Sequence, residues 1–263
     1  AMSVHEHNRR VWDAMVQKGQ RFARPASDED LQTTLKELDP RDWLGDVRGK
    51  RLLCLAAGGG RQGPMYALAG ADVTVVDISS AQLELDREVA TQRGIDLRTV
   101  QASMDDLSMF SPGEFDLVVQ PVSTCYLPDV GPVYREVARI LRGDGIYVSQ
   151  HKQPTSLQAD VKSSPQGYTI QSSYFHAGPL PEVVGSLHRE PGTLEFLHRW
   201  EDLLGGLCRA GFVVEDLTEP LHAKPDAARD TWAHRSMFVP PYVRIKARRV
   251  GEAANAKKPS LIL

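Results

Sequence analysis

The chain has 263 residues, of which 41% are hydrophobic and 25% charged, a composition that suits one full globular core with insertions. A formal net charge of -3 offers no global field to attract a polyanion, which argues against a nucleic-acid partner. No stretch approaches the roughly 20 apolar residues of a membrane span, and the opening AMSVHEHNRR has neither the order nor the content of a signal peptide, so a cytoplasmic location off the membrane is expected.

In chain order, Asn8 to about Lys18 carries Val11, Trp12, Met15 and Val16 at helical spacing, followed by Arg21, Phe22 and Arg24. Residues 1–48 thus read as a helical cap. A sharper alternative is a lid whose Trp12 or Phe22 covers a bound ligand while an arginine meets its carboxylate. RLLCLAA at 51–57 is an apolar run that stops at three glycines, as a strand covered on both faces would. A short helical stretch from Arg61 to about Ala69 follows, then DVTVVD at 72–77, rich in β-branched residues and read as a second strand. Ser79 with Gln82 forms a capping box for a helix that Gly94 can end.

LRTVQ at 97–101, FDLVVQ at 115–120 and IYVSQ at 146–150 give three more strands. Between the last two, a helix begins near Asp129 and Pro132, with Val133, Val137, Ile140 and Leu141 on its inner side. This alternation predicts an α/β protein: a mainly parallel sheet with helices on both faces. The pattern then breaks, and 152–193 reads as an insertion. Thr193 opens a predicted helix on which Phe196, Trp200, Leu203, Leu204 and Leu207 recur before Gly211. FVVEDL at 212–217 and YVRIKARRV at 242–250 have no helix-forming stretch between them and are expected to be antiparallel, with 218–241 as a loop. The chain beyond Gly251 is expected to fray. Cys54, Cys125 and Cys208 lie far apart, with neither CxxC pairing nor zinc-spaced histidines, so reduced thiols are expected and no metal site.

Gly58-Gly59-Gly60-Arg61-Gln62-Gly63 fits GxGxxG between a strand and a helix, where backbone without side chains can approach a ligand closely. Asp77 ends the second strand at the separation expected of a carboxylate that accepts ribose hydroxyls. Taken singly, each has a bland explanation: a tight strand-to-helix turn and a carboxylate favoured by a helix dipole. Together they indicate an adenosine-containing ligand.

These segments resemble class I S-adenosylmethionine-dependent methyltransferases over most of the chain, roughly Gly49 to Arg249. LLCLAAGGG resembles the nucleotide-loop motif, VTVVDIS the ribose-binding strand end and VQASMDDL the adenine-side motif. FDLVVQPVST is similar to the strand leading to the reaction centre, VYREVARILRGDGIYVSQ to the helix, glycine turn and fifth strand, and GFVVEDLTEP with PPYVRIKARR to the final antiparallel pair. The resemblance implies a three-layer Rossmann-like sheet of about seven strands with an antiparallel last strand, and S-adenosylmethionine as methyl donor, released as S-adenosylhomocysteine. It implies that Ala57, Gly58 and Gly60 line the methionine and ribose end, Asp77 the ribose hydroxyls and Ile78 one face of the adenine. Ser103, Met104 and Asp105 would border the adenine edge, and Gln120 and Pro121 would approach the sulfur. The sequence departs from the family at Cys54, usually acidic, at Ala56, usually glycine, and at Ser103, often Asp.

Methyl transfer demands positioning above all, with the acceptor in line at about 3 to 3.5 Å in a dry pocket. The N-terminal stretch, the 152–193 insertion and the 218–241 loop are expected over the carboxyl ends of the strands, enclosing a small-molecule acceptor. His151, directly after the fifth strand, is the first candidate for a general base because its ordinary pKa of about 6.5 permits either role, with Tyr126 second. Tyr174, His176, His198, His234 and Arg235 are candidates for acceptor binding, and His188, Arg189 and His222 read equally as solvated loop residues. An NAD(P)- or flavin-dependent oxidoreductase fits the glycine turn and Asp77 almost as well, and a non-catalytic S-adenosylmethionine-binding protein shares the fold.

Overall fold

The computed structural model describes residues 2–20, 24–32, 35–183 and 185–250. Arg21 and Phe22 of the anticipated lid, and the tail from Gly251, lie outside the described residues.

Seven strands form one sheet: β1 (Arg51–Leu55), β2 (Asp72–Asp77), β3 (Arg98–Gln101), β4 (Phe115–Gln120), β5 (Leu141–Lys152), β6 (Phe212–Thr218) and β7 (Tyr242–Arg249). Their order is β3-β2-β1-β4-β5-β7-β6. The first five pair in parallel, and β7 runs antiparallel to both neighbours. The break in order between β1 and β4 is the topological switch at which such sheets bind ligands.

Alternation along the strands builds two cores. Leu53, Leu55, Val118 and Tyr147 point to one face, where Val133, Tyr134, Val137 and Ile140 of α5 (Gly131–Ile140) cover them. Leu52, Cys54, Leu117 and Val148 point to the other, against Tyr66 of α3 (Gln62–Leu68), Leu83 of α4 (Ser80–Arg93), Trp43 and Leu44. β1, β2, β4 and the inner part of β5 are therefore apolar on both sides, which is why their sequences read as runs rather than alternations. As the sequence indicates, Ser79 Oγ caps α4 by accepting from the Gln82 amide at 3.1 Å, and Gly94 ends it at φ +61°.

Two expectations need correction. The predicted helix from Thr193 starts later: 193–199 has no regular secondary structure, and a π turn over Glu201–Gly205 leads into α7 (Gly206–Arg209). Phe196 is held by a bond from its amide to the Cys125 carbonyl at 2.7 Å, and the buried Glu195 docks on Lys152. These contacts override the helical spacing. The fifth strand is also longer than IYVSQ, because β7 pairs with it as far as Lys152 opposite Tyr242.

The N-terminal helix α1 (Val4–Gln17) crosses the carboxyl ends of the strands. Its Asn8, 3% exposed, donates to the carbonyls of Tyr126 and Leu194 and accepts from the Leu194 amide at 2.8 Å. Asp13 accepts from Ser79 Oγ at 2.6 Å, and His5 Nε2 lies 2.9 Å from Asp105 Oδ2. Among the described residues, no helix is long and apolar enough to cross a membrane.

Candidate active site

A cavity of about 990 Å³ opens where the carboxyl ends of β1, β2, β3, β4 and β5 meet α1, the insertion and the β6–β7 loop. Its floor begins at the turn after β1. Ala56 takes the left-handed conformation at φ +50°, which explains why glycine is commoner there, and the chain swings out through Ala57, Gly58 and Gly59 along the wall. A side chain on Gly58 would stand 2.8 Å from Gln82 Cβ and 3.0 Å from Asp77 Oδ2, so the bare backbone is required.

Two carboxylates hold this turn through consecutive amides. Asp77 Oδ2 accepts from the Gly58 amide at 3.0 Å, and its Oδ1 accepts from the Ser79 amide at 2.9 Å. Behind the turn, Asp86 of α4 accepts from the Gly59 amide at 2.9 Å. Burial pushes Asp77 up to about 6 and Asp86 up to about 7, against the amide bonds that favour their ionised forms. Asp86 escaped sequence analysis, although it lies on the buried side of a correctly read helix.

Ile78, Ser103, Met104, Gln120 and Pro121 reach the same cavity wall. Gln120, 2% exposed, is fixed by Nε2 donating to Ser123 Oγ at 2.8 Å and by Tyr147 OH donating to its Oε1. Gly60 and Asp105 stand behind the wall. Gly60, at φ +70°, packs so closely on α4 that an added Cβ would stand 2.8 Å from the Leu85 carbonyl oxygen, while Asp105 bonds His5 and Ser103. Cys54, 0% exposed, is likewise part of the core under the sheet.

The set of catalytic and acceptor candidates changes most. His151 is 1% exposed and lies inside the sheet opposite Val243, its Nδ1 bonded to Thr124 Oγ1 and its Nε2 to Ser149 Oγ, both at 2.8 Å. Burial lowers its pKa to about 3, so it is a neutral core side chain away from the cavity wall. Tyr174 accepts from the Trp200 amide, His176 reaches the Pro179 carbonyl, and His198, buried, bonds the Thr124 carbonyl from an irregular segment ahead of the helix. His234 pairs with Tyr168 at 2.8 Å, and Arg235 is buried among the Ser156, Ala159 and Asp160 carbonyls. None of these five lines the cavity.

Tyr126 does line it, and its hydroxyl donates to Glu190 Oε2 at 2.7 Å. Glu190, a wall residue that sequence analysis missed, also receives Lys152 Nζ at 2.7 Å, and Lys152 reaches Glu195 at 2.9 Å. The side chains of Lys152 and Glu195 are fully buried. Burial pushes both carboxyls up; at Glu190 the Lys152 charge together with the hydrogen bonds from Lys152 and Tyr126 outweighs it, so that Glu190 falls below its ordinary value, whereas Glu195 stays raised. His188, for which a solvated loop position is an equal expectation, is 3% exposed and packs against Trp232 and Tyr242, which line the cavity with the half-buried His222. Trp12 and Arg24 of the N-terminal region line the cavity as well.

A glycine turn clasped by a strand-end carboxylate at the switch point of a β3-β2-β1-β4-β5-β7-β6 sheet defines a Rossmann-like protein for an adenosine-bearing ligand. A family model described as a methyltransferase domain matches residues 53–149. The chain is 37% identical over 227 residues, 81% of its own length and 89% of the relative's, to the uncharacterised methyltransferase YbaJ of Bacillus subtilis (strain 168). Its fold resembles the S-adenosylmethionine-dependent methyltransferase of Mesorhizobium loti at TM-score 0.64 and 22% identity, covering 83% of this chain and all of that one. It also resembles geranyl diphosphate C-methyltransferase of Streptomyces coelicolor A3(2), solved with S-adenosyl-L-homocysteine, at TM-score 0.63 and 18% identity over 95% of this chain and 99% of that one. The chain belongs to the S-adenosylmethionine-dependent methyltransferase family. The oxidoreductase and non-catalytic alternatives give way to that assignment.

Proposed function

We propose that this cytoplasmic enzyme methylates a small molecule enclosed in the 990 Å³ cavity, with donor and acceptor at opposite ends of one concavity. The observation that carries the reading is continuity: one wall joins Gly58 and Asp77 to Glu190 and Trp232, beneath segments that fold over it. A site roofed by α1, the insertion and the β6–β7 loop suits a compact acceptor better than a polymer. The free thiols of Cys54, Cys125 and Cys208 fit a reducing compartment.

The residues present fit the donor. Each Asp77 oxygen already takes one amide bond and keeps acceptor capacity for a ribose hydroxyl. Ala57 and Gly58 present backbone to the ribose and methionine end. Ile78 and Met104 supply apolar surface for the adenine, with Ser103 at its edge. Gln120 and Pro121 fall at the junction between the two ends of the cavity, Gln120 locked so that it points without reorganisation. Trp12 roofs the donor end, and Arg24, which lines the cavity along with Arg61 and Arg244, is our candidate for the methionine carboxylate. When bound, S-adenosylmethionine supplies a methyl group already activated on positive sulfur, so the chain's task is to orient the acceptor and exclude water.

Calorimetry tests the reading: S-adenosylhomocysteine should bind at micromolar strength and NADH should not, and a radiolabelled methyl group should appear on small molecules of a size-fractionated extract. Label recovered only in protein or RNA would reject the small-molecule reading.

A further inference from the structure

Four aromatic rings from three separate segments meet at the acceptor end. His188 comes from the insertion, His222 and Trp232 from the β6–β7 loop, and Tyr242 from the start of β7. Ring centroids are 5.6 Å apart for His188 and Trp232, 5.5 Å for His188 and Tyr242, 5.5 Å for His222 and Tyr242, and 6.1 Å for Trp232 and Tyr242. Three of the four face the cavity, and His188 backs them. Neither ring nitrogen of His188 has a hydrogen-bond partner among the described residues, and burial keeps the imidazole neutral, so it serves as an aromatic slab. Within a methyltransferase cavity such a wall is surface for stacking a planar partner, since offset and edge contacts between rings add to plain area burial.

On the same wall stands Glu190. Tyr126 and Lys152 both bond its Oε2, and neither bond uses Oε1. The cluster is pinned, with Lys152 wholly buried, so this carboxylate cannot swing away. A fixed anionic acceptor beside an aromatic wall selects for a planar ring bearing a hydrogen-bond donor and against a ring bearing a carboxylate.

Resting on the methyl-transfer reading above, we propose that the acceptor is a planar aromatic hydroxyl compound, its ring against Trp232, Tyr242 and His222 and its hydroxyl donating to Glu190. In the transfer, a lone pair of the acceptor oxygen forms the new O–CH3 bond. The electrons of the broken S–CH3 bond remain on sulfur as the neutral thioether, and the hydroxyl proton passes to the Glu190 carboxylate. A hydroxyl gaining a methyl group becomes far more acidic than any carboxylic acid, so a carboxylate held low by Lys152 is still base enough.

The test uses 2-naphthol, its saturated counterpart decahydro-2-naphthol and 2-naphthoate as probes on the full chain saturated with S-adenosylhomocysteine. 2-Naphthol should bind at least ten-fold tighter than either of the others. Trp232→Leu and His222→Leu should each weaken it about ten-fold while leaving S-adenosylhomocysteine affinity within two-fold. Glu190→Gln should narrow the gap between 2-naphthol and 2-naphthoate and cut methyl transfer to 2-naphthol at least hundred-fold. Equal binding of decahydro-2-naphthol, or unchanged 2-naphthol affinity in both wall variants, overturns the proposal and leaves the methyltransferase reading intact. Failure of S-adenosylhomocysteine itself to bind overturns both.

Discussion

Asp77 Oδ2 accepts the Gly58 amide at 3.0 Å, tying the end of β2 to the turn after β1 on one side of the sheet's switch point. The carboxylate therefore holds the fold together here and, on the function proposed above, also serves the donor. Burial raises its pKa to about 6. Ribose hydroxyls donate to the ionised form, so S-adenosylhomocysteine affinity should be full above pH 7 and fall as pH drops through 6, approaching ten-fold per unit below it. Asp77→Asn should weaken binding about 10- to 100-fold at pH 7.5, the range for lost charge-assisted bonds, and flatten the profile. Calorimetry across pH 5 to 8 reads both effects, and an unchanged profile in the variant would detach Asp77 from the donor.

Asp86, behind the same turn, makes a prediction of a different kind. Burial lifts its pKa from 3.8 to about 7, and its Oδ1 has no hydrogen-bond partner among the described residues. A carboxyl with a raised folded-state pKa contributes stability that is complete below pH 4 and is lost as pH rises through 7. Asp86→Asn, which keeps an oxygen for the Gly59 amide, should thus be more stable than the parent protein at pH 8. The gain is of order a few kcal/mol at most, each pKa unit being about 1.4 kcal/mol. At pH 5 the gain should shrink to less than half, because only part of the window between 3.8 and 7 lies below it. Urea unfolding at the two pH values measures the difference.

His151 should be dispensable to chemistry. Its ring is neutral with a pKa near 3 and is bonded on both sides by Thr124 and Ser149 inside the sheet. His151→Gln should lower stability by about 1 to 3 kcal/mol through unsatisfied hydroxyl partners. S-adenosylhomocysteine affinity should stay within two-fold, and the pH–rate profile should keep its shape. Loss of an ionisation in that profile would return His151 to the mechanism.

The glycine-turn end of the cavity was legible because its signals are local. The glycine turn, Asp77 and the α4 cap lie within 37 consecutive residues, 58–94, and each obeys a short-range steric or hydrogen-bonding rule. The acceptor end was illegible because its wall is assembled from positions 126, 190, 222, 232 and 242, whose proximity depends on how the insertion and the β6–β7 loop drape over the sheet. His151 misled for a related reason. IYVSQ marks where apolar residues stop, but pairing with β7 carries the strand two residues further and takes His151 into the core. The helical spacing holds from Trp200 onward but not at Phe196, because the Glu195–Lys152 contact at 2.9 Å ties the preceding residues to β5.

That contact supports a last prediction. Lys152 Nζ lies 2.7 Å from Glu190 and 2.9 Å from Glu195, and Arg189 Nε lies 3.0 Å from Glu195. Burial opposes the lysine charge, and the acidic groups around it outweigh burial and hold its pKa above the ordinary value. Lys152→Met would leave two carboxyls facing each other in a dry site with only Arg189 to offset them. Removing one partner of a buried cluster costs about 3 to 5 kcal/mol, far more than the intact cluster contributes relative to an apolar replacement. The variant should accordingly melt well below the parent protein at pH 8, and lowering the pH should recover part of the loss as the freed carboxyls protonate. Lys152→Met combined with Glu195→Gln should recover part of it at constant pH, because one of the two stranded charges is gone. If Lys152→Met alone unfolds within 1 kcal/mol of the parent protein in urea, the cluster is not what holds the insertion onto the strand ends.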